Sequence, residues 1–271
     1  MLDRFHIVLS TAQPLSRQVI HHVASAVGLS PYDVRLRLNS KLPRSVAFRS
    51  DRDEAVALAR RVVARDVVVV VYRESAFPLV SPFNAFRMGR TPDGLVFEDR
   101  SGARRPLDRS DMEFVVFGKK TSISTETNLE YAESSIVLHE RTHVSPPLKV
   151  VKKRNKAMST FIVFFPRDRD LMPIRIVTNN FDFQCLGRDI GMSDLVSAGR
   201  LVTIIEEVTH RIPSDRRLME TDVVESMIAH NRRASPDPEY AASALLLLEH
   251  LAIQGGEGFH EAVHSRSDDR S

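Results

Sequence analysis

Five consecutive valines, Val67–Val71, set the tightest limit on what this chain can fold into. β-Branched side chains lose rotamer freedom in a helix and fit a pleated surface, so the run reads as a strand. It shows no polar alternation, so the strand is expected to be covered on both faces or to lie central in a sheet. The residues before it complete a β-α-α-β-α-β order. A strand is expected at Phe5–Leu9, ending at the turn-prone Thr11–Pro14. Ser16 is placed to cap a helix whose apolar positions Val19, Val23 and Val27 recur on one face, and Gly28 ends it. Ser30 and Pro31 open a second short helix, a strand follows near Ser45–Phe48, and Asp51 caps a third helix with Ala55, Leu58, Ala59 and Val62 inward.

The strand "FHIVLS", the helix pair "RQVIHHVASAVGLSPYDVRLRL" and the closing "DEAVALARRVVARDVVVVVYRE" resemble the C-terminal domain of the bacterial ribosomal stalk protein. The resemblance covers about residues 3–74 and implies a small α/β module at 1–76. In that family the first helix and a Gly-Leu turn form a basic face that recruits translational GTPases. Here Gly28 and Leu29 keep the turn and Arg35 keeps a basic side chain, while His21 and Ala24 stand where the family carries Lys and Arg. The resemblance therefore implies a binding module, with His21 and Arg35 as candidate partner-binding residues, rather than a translational role.

Pro78 and Pro82 break the chain at a boundary, and residues 77–214 then read as β-rich. Strands are expected at Asn84–Arg90, Leu95–Glu98, Phe114–Gly118, Ser159–Phe165, Ile174–Thr178 and Phe181–Cys185. Ser193 is placed to cap a helix with an apolar stripe of Leu195, Ala198, Leu201, Ile205 and Val208, stopped by Pro213. This order, with the string "FDFQCLGRDIGMSDLVSAGRLV", resembles bacterial pleckstrin-homology-like domains. That likeness implies an antiparallel sheet closed by a helix, with a face for a peptide, a protein or a phosphorylated head group. Residues 121–155 read as a flexible polar insertion between strands. Residues 215–256 read as a helical segment, with helices at 221–231 and 237–254, the second carrying Leu245, Leu248 and Leu251. Residues 257–271 read as a tail without regular structure. The fold class expected is α+β.

Two strings, His139–His143 and His260–His264, match H-E-x-x-H, in which two histidines share a helix face to hold zinc and the glutamate activates water. Arg141 and Pro146–Pro147 interrupt the first, and no ligand follows the second, so His139, His143, His260 and His264 stand only as an alternative metal set for a zinc-dependent hydrolase. The basic run Lys149, Lys152, Lys153, Arg154 and Lys156 is the other candidate, for a protein partner or an acidic ligand. Anionic lipid fits it as an alternative, making a peripheral membrane protein. Nucleic acid is not expected, because no aromatic residues interleave with the lysines.

The 271 residues include one cysteine, Cys185, which excludes an intramolecular disulfide and suits a reducing compartment. Asp3, Arg4 and His6 stand where a signal peptide would be apolar, so a soluble, cytoplasmic protein is expected. A net charge of +3 is spread among interleaved acids and bases, as on a solvated surface. No catalytic residue is assigned and no cofactor is expected. The sequence reads as a non-enzymatic bacterial adaptor or regulatory protein acting on another protein, with self-association through the C-terminal helices as a further option.

Overall fold

The computed structural model describes residues 4–11, 14–38, 42–64, 67–74, 81–131, 148–220, 238–254 and 260–263, and the fold is mixed α+β. The first sheet holds β1 (Phe5–Thr11), β2 (Arg44–Arg49) and β3 (Val67–Arg73), with β12 (His260–Val263) arriving from the far end of the chain. Its order is β12-β3-β1-β2, and every neighbouring pair is antiparallel. Three helices, α1 (Arg17–Val27), α2 (Pro31–Arg37) and α3 (Arg52–Val62), pack on it. Each is capped by the residue read from the sequence: the side chains of Ser16, Ser30 and Asp51 accept the backbone N–H of Val19, Asp33 and Glu54. Gly28 closes α1 at φ 73°, a left-handed conformation that glycine adopts without a Cβ clash.

The valine run divides between two cores. Val67, Val69 and Val71 join Ile7, Leu9 and the helices on one side, while Val68, Val70 and Tyr72 face a second cluster. Both faces of β3 are covered, and the missing polar alternation is the trace of that. At β12 the structure departs from the expected tail: Cα partners run from His260↔Tyr72 to Val263↔Val69. β3 otherwise presents an open edge there, and backbone pairing asks little of side-chain pattern.

The second half contains β4 (Phe83–Ala85), β5 (Arg87–Arg90), β6 (Gly94–Glu98), β7 (Arg104–Asp108), β8 (Met112–Tyr131), β9 (Leu148–Pro166), β10 (Ile174–Val177) and β11 (Ser214–Asp215). It also holds the helices α4 (Asp194–Thr209) and α5 (Arg217–Glu220). One sheet runs β11-β8-β9-β10-β4 and the other β5-β6-β7. Phe97, Phe117, Phe164, Leu201 and Ile205 belong to the core that α4 closes.

Three expectations change here. Leu195, in the first turn of α4, is 82% exposed, because the buried face of that helix begins at Ser197 and Ala198. Phe183–Asp189 forms a 3-10 turn rather than a strand; Phe181 and Phe183 alternate with Asp182 as strand residues would, but Asp182 accepts the backbone N–H of Gln184 and starts the turn. The supposed insertion is occupied by strands as far as Tyr131 and again from Leu148.

Helix α6 (Pro238–Ile253) lies between the two halves. Val8, Val70 and Tyr72 of the first sheet and Phe114, Val116, Phe161, Val163 and Phe165 of the second share one cluster with Tyr240, Ala244 and Leu246–Leu248. A helix covered on two sides needs apolar residues all round, so Leu246, Leu247 and Leu248 are all buried and the stripe of Leu245, Leu248 and Leu251 is only part of the story. Each fully buried leucine contributes roughly 1.5–3 kcal/mol. These leucines are packed inside the chain. The expected helix at 221–231 lies outside the described residues. Among the described residues no helix is long and apolar enough to cross a membrane.

Candidate functional site

The basic run lies on a two-stranded ribbon. At its base β9 is flanked by β10 only as far as Phe161, and β8 by β11 only at Val115 and Val116. Beyond Gly118↔Phe161 the pairing continues from Lys119↔Thr160 to Tyr131↔Leu148 with no third strand among the described residues. At about 3.4 Å per residue these thirteen pairs extend roughly 40 Å. The base is fixed by two features. The ring of Phe161 lies over Gly118, where an added Cβ would fall 2.1 Å from the ring. The backbone N–H of Thr160 donates to Thr178 Oγ1 at 2.9 Å.

Along β9 the Cα partners of the basic run are Glu130 for Lys149, Thr127 for Lys152, Glu126 for Lys153, Thr125 for Arg154 and Ile123 for Lys156. Lys119 and Lys120 sit at the base on β8. Six of the seven lysines of the chain are therefore on this ribbon, whereas its other basic residues are almost all arginine. The paired segments hold seven basic and two acidic residues, a formal +5 in a chain whose total is +3. The rest of the chain is thus slightly acidic, and the positive charge is concentrated on the ribbon.

No protein-family model matches the chain, and no curated protein or solved structure matches it.

The remaining sequence candidates do not join this ribbon. His21 and Arg35 are exposed on α1 and α2, in the helical layer of the first sheet. Tyr32 and Leu36 are exposed one turn apart on the same helix as Arg35. His139, His143 and His264 lie outside the described residues. His260 is on β12, an extended segment, whereas the H-E-x-x-H chemistry needs a helix. Among the described residues no group of three or more His, Cys, Asp or Glu is placed to hold a metal ion. Cys185 is half-buried against the core that α4 closes, and burial pushes its thiol pKa up, away from a nucleophilic thiolate.

A polar cluster that sequence reasoning missed sits beside α6. Glu249 is 5% exposed; one of its carboxylate oxygens accepts the hydroxyl of Ser10 on β1, and Arg217 on α5 donates to both. Arg217 also donates from Nε and Nη2 to Asp215 Oδ2 at 2.9 and 2.7 Å, while its backbone N–H meets Asp215 Oδ1 at 2.8 Å. Burial works against the guanidinium charge, but the hydrogen bonds to Asp215 and Glu249 outweigh it and raise its pKa. One ion network therefore ties β1, β11, α5 and α6 together. Next to it His250 stacks on Phe114 at 4.5 Å, and burial lowers its pKa. His6 is likewise buried, stacked on Tyr72 at 5.0 Å with Nδ1 3.3 Å from Ser45 Oγ, and burial is the main cause of its lowered pKa.

No sequence signal could have assembled this network, since Ser10 and Glu249 are 239 residues apart. A second missed feature is apolar. Ile190, Met192, Leu195 and Val196, around the start of α4, are all exposed.

Proposed function

We propose that this chain is a non-enzymatic, cytoplasmic bacterial adaptor or regulatory protein, and that the β8–β9 ribbon is the arm by which it holds another protein. The observation that carries the reading is the ribbon itself: thirteen strand pairs with no third strand beside them among the described residues, bearing a formal +5. A two-stranded hairpin in water is marginally stable, so a long one is best accounted for by a partner that completes it. In this reading residues 1–76 form a ribosomal-stalk-like module and residues 77–214 a pleckstrin-homology-like module, with α6 of the helical segment 215–256 packed between them. Both are architectures that serve recognition. The zinc-hydrolase alternative is weakened by the extended backbone at His260.

Crosslinked affinity capture from the native cells tests the reading, with wild type beside a variant carrying Lys149, Lys152, Lys153, Arg154 and Lys156 all changed to Ala. One dominant protein held by the wild type and lost from the variant is the expected result. The same set of proteins on both baits, or retention of the wild type by anionic vesicles alone, would overturn it.

A further inference from the structure

The adaptor reading leaves open what kind of segment the arm holds, and the following rests on that reading. We propose that the outer edge of β9 takes an extended acidic peptide as an added strand, with Lys149, Lys152, Lys153, Arg154 and Lys156 selecting its charge. Two independent features lead there. The first is the open edge. Beyond Phe161 the only strand that β9 pairs with among the described residues is β8; the Thr160 N–H is taken by Thr178 Oγ1, and from Met158 back to Leu148 one row of backbone N–H and C=O groups faces no other strand. Such an edge is a template for strand addition, in which main-chain hydrogen bonds supply affinity and side chains supply selection.

The second feature is the charge of that strand. Five of the ten residues from Leu148 to Ala157 are basic and none is acidic. Lysines on an edge discourage copies of the same strand from pairing with it, since like charges would be brought together. The same residues favour a strand that carries carboxylates. Edge and charge together therefore describe an acidic partner in extended conformation. A duplex would use the charge but leave the backbone edge unused, so nucleic acid is the less economical occupant.

The test uses the full chain and three labelled twelve-residue probes, read by fluorescence anisotropy. One alternates Glu with Thr; one keeps every Glu but has Pro at every Thr, so it carries the same charge while the rings remove half of the donors and hold the backbone away from a regular ladder; one is a DNA duplex. The Glu-Thr peptide is expected to bind, to weaken steeply between low and moderate salt, and to exceed the proline peptide by about tenfold or more. Hydrogen exchange should show new amide protection within 148–160 on adding it.

Equal binding of the proline peptide without new protection would overturn the strand-addition proposal, leaving charge alone. Tighter binding of the duplex would replace the peptide with nucleic acid. A concentration-dependent doubling of mass without peptide would show that a second copy takes the edge. If cellular capture through the arm succeeds while the Glu-Thr peptide fails, this inference falls and the adaptor reading stands; the reverse pattern removes the adaptor reading.

Discussion

Replacing Arg217 by Met should produce the largest loss of stability among single changes outside the apolar cores. Arg217 is the cation facing Glu249 and Asp215, whose side chains are 7% and 13% exposed. Met fills a similar volume but donates nothing, so both carboxylates stay in place and lose their counter-charge. Removing one partner of a buried pair costs about 3–5 kcal/mol, and the 26% exposure of Arg217 points to the lower end. At about 2–4 °C per kcal/mol, a loss near 3 kcal/mol lowers the midpoint of thermal unfolding by roughly 6–12 °C. Circular dichroism melts at neutral pH measure this directly. The double variant Arg217→Met with Glu249→Leu removes the stranded carboxylate from α6, and should recover at least half of the loss. A single variant melting within about 2 °C of wild type would refute the argument, and so would a double variant as unstable as the two single changes summed.

Gly118→Ala should destabilise by about 1–3 kcal/mol, because the new methyl falls on the ring of Phe161 and the ribbon base must shift; Phe161→Ala introduced alongside should relieve that clash in a double-mutant cycle of urea melts. Stability should fall on acidification. His6 and His250 have lowered pKa values in the fold, so the unfolded chain binds the extra protons; their contribution is complete above about pH 6.5 and is lost as pH falls toward the folded values. Urea midpoints between pH 7.5 and 5.5 should therefore drop, and His250→Phe, which can keep the stack on Phe114, should flatten the slope; an unchanged slope in that variant would exclude His250 as a contributor.

The elements governed by local chemistry were legible in the sequence. Ser16, Ser30 and Asp51 mark helix starts because a capping side chain acts within three residues, and the valines of β3 declare a strand because their stiffness is intrinsic. The ribbon was not legible. The sequence of Thr121–Tyr131 and Leu148–Asn155 carries no regular apolar alternation, so both read as a polar insertion although threonine and valine favour extended backbone. Likewise Phe181-Asp182-Phe183 alternates like a strand because two rings point inward around a turn. For the candidate site, the basic run was visible as a run, but its placement on an unflanked edge came only from strand pairing. The contacts of Glu249 with Ser10 and Arg217 needed the whole chain to be assembled, and only the Asp215–Arg217 pair lies within one short window of sequence.

The position of α6 also fixes the timing of folding during synthesis. Val8, Val70 and Tyr72 on one side, and Phe161, Val163 and Phe165 on the other, wait for residues 240–252 to cover them. At about 5–20 residues per second, the interval between completing β3 and completing α6 is roughly 10–40 s. Throughout it the nascent chain carries a bare apolar sheet face, so it is a natural client for holding chaperones. A product terminated before Pro238 would lack the helix that covers that face.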